Sequence, residues 1–253
     1  MLGQTGFRLV GAPTFLPAYL FALSGSDLVV GLARALQATG TVISPIIGAS
    51  LIGHRKKILG ATLATSALMR IQILGLSLAG FFIGQDAIVP AVIVMLTLMG
   101  FFQGMSQVTM NALRARVIPV NRRGFVTGAR NFLAGFSSAA VSYVAGAYLI
   151  EGNALGNGYA AVFLMAFVIT TIGLGALAVT REPKVEAVRS KESSLTALRA
   201  IPVLLRDDPA FARFFVARAF GSFGRMALPF YILFGGTRME LTGRTLGLLT
   251  TVW

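Results

Sequence analysis

Four polar side chains recur down one stretch of otherwise apolar sequence: Gln103, Gln107, Asn111 and Arg114. Steps of four, four and three residues put all of them on one face of a helix. Amides and a guanidinium in a row give and take hydrogen bonds but hold no nucleophile, so the chemistry open to them is binding. Such a strip either bonds across to a neighbouring helix or lines a polar path. Further cations stand alone inside apolar runs: Arg8, Arg70, Arg130 beside Asn131, Arg218 and Arg225. Arg218 and Arg225 are seven apart, two helical turns along one face. A guanidinium presents a planar fork that matches carboxylate and phosphate. Arg130 and Arg218 lie near run ends, from which a long side chain reaches the interface. Arg70, near mid-run, reads as a structural hydrogen-bond donor. The candidates for contacting a bound solute are therefore Arg8, Gln103, Gln107, Asn111, Arg130, Asn131, Arg218 and Arg225.

The chain has no Cys and one His, His54, which reads as a surface residue. Its nine acidic residues are Asp27, Asp86, Glu151, Glu182, Glu186, Glu192, Asp207, Asp208 and Glu240, none of them placed within a membrane core. Thiolate chemistry, a nucleophile–base triad and a His/Cys metal site have no material here. The chain does not read as an enzyme, and neither a cofactor nor a metal is expected.

The elements that must carry these residues follow from hydropathy. Charged residues make up 12% of the 253 positions, against about 25% in a soluble domain, and mean hydropathy is +0.77. A membrane-spanning helix needs about 20 mostly apolar residues. Runs of that length fall at 4–23, 27–53, 58–83, 88–113, 125–150 and 159–180. The segment 181–208 is charged, with room for a short amphipathic helix capped by Ser193 or Ser194 and lying at the membrane surface. Asp208 and Pro209 read as N-cap and first position of a seventh span over 209–235, and an eighth begins at Thr245. The expectation is an all-α polytopic membrane bundle of six transmembrane helices plus a seventh and the start of an eighth. Its units would be a bundle over 1–180, a cytoplasmic linker over 181–208 and the opening of a second bundle over 209–253.

A net charge of +13 would on its own raise nucleic acid as a partner. The basic residues stand instead at the ends of apolar runs, which fits anionic lipid headgroups. The loops after spans two, four and six hold fourteen Lys and Arg; the loops on the other side hold Arg238 and Arg244. By the positive-inside rule the basic loops are cytoplasmic, and a bacterial plasma membrane is the expected location.

Spans one and seven resemble each other. Leu16-Pro17 matches Leu228-Pro229 and Tyr19 matches Tyr231, at an offset of 212 residues. In the loop GASLIGHRKKILG, Gly48, Lys56 and Lys57 fit the pattern G-x-x-x-D-[RK]-x-G-[RK]-[RK]. Ile52, Gly53 and Arg55 replace its acidic residue, first basic residue and second glycine. The loop RVIPVNRRGFVTGARN, with Arg123 and Gly124, is similar to the connection between spans four and five of the same family. On these features the whole chain resembles the major facilitator superfamily. The resemblance implies a secondary transporter of a small-molecule substrate, working by alternating access of two bundles. It makes Gly48, Arg55, Lys56, Lys57, Arg123 and Gly124 a gating loop set, although Ile52 cannot supply the ion pair of the family's acidic residue. It also implies a missing second bundle in the full-length chain. The excess of intramembrane Arg over carboxylate points to an anionic substrate. Efflux of amphipathic compounds and a non-transporting membrane role are the other readings.

Overall fold

The computed structural model describes residues 2–183, 202–203, 205–236, 238 and 242–252; the side chains of Gln85, Phe223, Arg225, Met226 and Val252 lie outside the description. The amphipathic helix expected at Ser193 or Ser194 falls outside the described residues. Among the described residues there is no strand. The helices are α1 (Leu2–Gly11), α2 (Phe15–Ser24), α3 (Asp27–Gly53), α4 (Leu59–Phe82), α5 (Gln85–Val117), α6 (Arg123–Val144) and α7 (Gly158–Ala178). A π-helical stretch, Ala145–Ile150, prolongs α6. After the linker come α8 (Pro209–Phe223), α9 (Leu228–Gly236) and α10 (Gly243–Val252). Among the described residues, six spans are long and apolar enough to cross a bilayer, α1 and α2 together forming the first. Helix is what apolar sequence must adopt in lipid, where no water satisfies a free N–H or C=O. Lipid-facing surfaces carry large apolar side chains such as Val42, Phe132, Phe136 and Ile172.

The first span is broken. α1 stops at Gly11 and α2 starts at Phe15, with Pro13 between them. Proline removes an N–H and disfavours helix for the residue before it. Pro17 falls in the first turn of α2, where its missing N–H costs no intrahelical bond. The seventh span breaks in the same place. A 3₁₀ turn, Gly224–Ala227, separates α8 from α9, and Pro229 occupies the first turn of α9. At the offset of 212 residues, positions 12–14 overlie 224–226, so the sequence repeat extends to the backbone break.

Span one is also the hub. Some 61% of its window is buried, against 22–44% for the other five spans. Leu9, Val10, Phe15, Leu16 and Tyr19 form one core with Val30 of α3, Ile73 and Leu76 of α4, Leu96 and Met99 of α5, and Phe163 of α7. Between apolar helices in lipid, close van der Waals packing replaces the hydrophobic drive of water. The tightest seam joins α3 to α5. Gly40, Ser44 and Gly48 recur every fourth residue on one helix and face Gly100 and Gly104 on the other. A Cβ on Gly48 would stand 3.0 Å from the Met105 Cα, and one on Gly100 would enter the Gln37 carbonyl. Gly48, placed in the loop motif by sequence, thus also serves as a packing residue.

At the end away from the basic loops, the seventh and eighth spans meet the first bundle. Ile232 and Leu233 of α9 enter the main core, and a Cβ on Gly31 would lie 3.2 Å from the Phe230 ring. Gly243 and Gly247 of α10 pack backbone to backbone on Gly146. The Thr14 and Thr250 hydroxyls bond at 2.6 Å. The Glu151 carboxylate accepts the Arg244 N–H at the start of α10, 3.1 Å away.

Candidate functional site

Two cavities flank Phe7 of α1 and Gln103 of α5, which line both. The first, about 470 Å³, lies between α1, α4, α5, α6 and α7 and reaches the basic end beside Val117, Ile118 and Thr180. The whole strip expected from the spacing on α5 faces it: Gln103, Gln107, Asn111 and Arg114. Arg70 and Arg130 complete its polar lining with Gln4, Ser66, Ser106 and Thr180. The second cavity, about 510 Å³, sits at the two breaks, with Pro13 on one side and Leu228 and Pro229 on the other. Its charged residues are Arg8 and Arg34, and Gln37 and Thr41 add amide and hydroxyl. Among the described residues, no carboxylate lines either cavity.

The guanidiniums are held differently. Arg70 donates from Nε to the Thr170 carbonyl at 2.8 Å and from Nη1 to the Ser66 carbonyl at 2.6 Å. Those bonds stitch α4 to α7 and aim Arg70 away from free solution. Arg114 reaches Asn111 Oδ1 at 3.4 Å and Arg130 reaches Asn131 Oδ1 at 3.1 Å. Arg114 and Arg130 line the same cavity, and the buried Nε of Arg130 has no acceptor among the described residues. Asn131 is exposed and holds Arg130 and Gln4, without lining either cavity itself. The Arg8 guanidinium has no hydrogen-bond partner among the described residues.

Arg34 is the residue the sequence reading misses. It lies seven residues into α3, about 10 Å below the helix start at 1.5 Å per residue. Nη1 donates to Gln37 Oε1 at 3.0 Å, and Nη2 donates to the Ala12 carbonyl, in the break of span one, at 3.2 Å. Its Nε is buried without an acceptor. The available signal was Gln37 three residues on, a polar pair on one helix face within an apolar run.

Not every candidate converges here. Arg218 is exposed on α8 and lines neither cavity. Residue 225 falls within the 3₁₀ turn at the second break, and its side chain lies outside the described residues.

The loop after α3 forms a separate structure at the basic end. Arg55, Lys56 and Lys57 are exposed. Glu182, after α7, places its carboxylate on the first N–H groups of α4: 2.9 Å from the Ile58 nitrogen and 2.8 Å from that of Leu59. Arg116 pairs with Glu182 at 3.0 Å and donates to the Lys56 and Arg55 carbonyls. Ile52 is buried with Ile58, Ala61 and Leu113 directly beneath. Arg123 donates to the Ile118 and Ala115 carbonyls, closing the C-terminus of α5, while Gly124 is exposed.

The family model described as Major Facilitator Superfamily matches residues 5–253. The chain belongs to that superfamily. It is an integral, multi-pass membrane protein of a transporter family and not an enzyme. No curated protein matches the chain. Within a facilitator fold, the acidic position of the loop after span two is apolar Ile52, and a carboxylate distant in sequence, Glu182 after α7, holds the start of α4.

Proposed function

We propose that the protein is a secondary transporter that carries a small anionic solute by alternating access, with its basic loops on the cytoplasmic face of a bacterial plasma membrane. Residues 1–180 act as one bundle, 181–208 as the linker, and 209–253 as the opening of the second bundle. The observation that carries the reading is the pair of adjoining cavities faced by Arg8, Arg34, Arg70, Arg114 and Arg130 and, among the described residues, by no carboxylate. Uncompensated charge in a desolvated site is costly. An anion supplies the missing acceptors, so the cavities are electrostatically complementary to carboxylate or phosphate.

Alternating access needs one closed end and one open end. The glycine contacts of Gly146 with α10 and the Thr14–Thr250 bond support closure at the far end, while the first cavity reaches the basic end. This is an arrangement open to the cytoplasm. Gln103, Gln107 and Asn111 give the solute a polar track between the mouth and the inner chamber. Arg55, Lys56 and Lys57 hold the loop to anionic headgroups.

The test is uptake into proteoliposomes containing the complete protein, over a panel of labelled carboxylates, phosphates and uncharged analogues of matched size. The reading expects protein-dependent uptake among the anions. Uptake confined to neutral or cationic members would overturn it.

A further inference from the structure

Arg34 lies where three features meet: the break in span one, the matching break in span seven, and a chamber of about 510 Å³ between them. One guanidinium edge already spans α3 and the Ala12 carbonyl. Nε is buried with no acceptor, although a desolvated charged donor without a partner is expensive. Arg8 faces the same chamber without a hydrogen-bond partner among the described residues. Gln37, Thr41 and Gln103 add amide and hydroxyl groups to the wall, and Phe7, Pro13, Val42, Leu228 and Pro229 form its apolar part.

Building on the proposed anion transport, we infer that Arg34, with Arg8, is the anion-coordinating pair of the inner chamber, and that the preferred ligand is an organic oxyanion with one charged head and an apolar body. The carboxylate or phosphate oxygens take the open Nε of Arg34 and the free N–H groups of Arg8. The body lies against Phe7 and Pro229. Gln37 orients the guanidinium through its Oε1 and does not need to touch the ligand. Because Arg34 also holds the Ala12 carbonyl, an anion drawing on its N–H groups pulls on the hinge of span one directly. Binding is thereby linked to the place where that span bends. Arg70 has no such role, since it lines the other cavity and is tied to the Thr170 and Ser66 carbonyls.

Binding to the complete, detergent-purified protein tests this. The probes are benzoate, phenyl phosphate, inorganic phosphate and uncharged benzamide, measured for wild type, Arg34→Gln, Arg34→Lys and, as a control on an exposed loop, Arg122→Gln. Charge-assisted hydrogen bonds predict that Arg34→Gln weakens benzoate and phenyl phosphate by about tenfold or more. Lysine does not restore the loss, because it lacks the fork, and Arg122→Gln binds as wild type. Phenyl phosphate binds more tightly than inorganic phosphate, and benzamide does not bind. If Arg34→Gln does not fold, phenylglyoxal labelling of Arg34 in wild type gives the answer, since millimolar benzoate or phenyl phosphate must protect it. Anion binding that Arg34→Gln leaves unchanged, or labelling that neither ligand slows, overturns the role of Arg34 while leaving anion transport standing. Equal affinity for inorganic and organic phosphate overturns the apolar-body assignment. Wild type that binds none of the three anions, in a protein that still transports a neutral solute, overturns the proposed function itself.

Discussion

Arg116 Nη1 lies 3.0 Å from Glu182 Oε1, and the same carboxylate caps the N–H groups of Ile58 and Leu59. One acidic side chain, 2% exposed, thus ties the end of α7, the C-terminal turn of α5 and the beginning of α4. A carboxylate at a helix N-terminus is favoured by the unpaired N–H groups and the helix dipole together. Here it arrives from a residue more than a hundred positions away. Glu182→Ala removes the ion pair of Arg116, which keeps only the Lys56 and Arg55 carbonyls, and leaves two backbone donors without their acceptor. The expected loss is about 2–4 kcal/mol, read as a fall in apparent Tm in detergent. Arg116→Ala should fall less, because the backbone donors stay satisfied. Equal stability of Glu182→Ala and wild type would contradict the latch.

Gln103 and Gln107 face the first cavity and make no hydrogen bond among the described residues. If they held helices together, replacement would cost about 0.6–2 kcal/mol each. As path-lining groups they should behave differently. Gln103→Leu and Gln107→Leu are expected to keep the wild-type apparent Tm within the error of measurement and to lower the uptake rate severalfold. A clear Tm loss with unchanged uptake would assign them to packing.

The 2.6 Å contact of Thr14 with Thr250 joins the first break to α10. Because residues 1–253 contain no Cys, the Thr14→Cys/Thr250→Cys pair can be oxidised with no competing thiol in this segment. Crosslinking should block uptake, and reduction should restore it, since alternating access must part the two residues. A crosslinked protein that transports at the wild-type rate would show that these positions do not move apart.

Orientation is open to the same approach. Lys57→Cys lies in the exposed basic loop, and Leu155→Cys lies in the exposed connection at the other end of the bundle. A membrane-impermeant maleimide should label position 155 in intact cells and position 57 only after permeabilisation. The reverse pattern would invert the positive-inside assignment.

Much of the fold is legible from hydropathy because a span is defined by length and apolarity alone. The expected 27–53 and the observed Asp27–Gly53 coincide, and Asp208 and Pro209 start α8 as their chemistry dictates, with Asp208 Oδ1 accepting from Ala210 and Phe211. The fourth span extends to Val117 rather than 113. Arg114 and Arg116 lower hydropathy without breaking a helix, so an apolar window ends too soon. The α5 strip is legible because its members share one helix. Arg34 is not, because its meaning comes from Ala12 and Pro229 on other helices. Glu182 is hidden for the same reason: sequence shows an acid in a charged linker, and only packing brings it to Ile58. The Gly40–Ser44–Gly48 spacing was visible as a small-residue repeat, but its partner at Gly100 and Gly104 is a tertiary fact.

The central claim is that this facilitator moves negative charge past Arg8 and Arg34. Solid-supported-membrane recording on proteoliposomes of the complete protein measures that charge movement directly. Rapid addition of benzoate or phenyl phosphate should evoke a transient current, which benzamide does not evoke and which Arg8→Gln/Arg34→Gln abolishes. Currents evoked only by cations, or anion currents that survive the double substitution unchanged, would contradict the account.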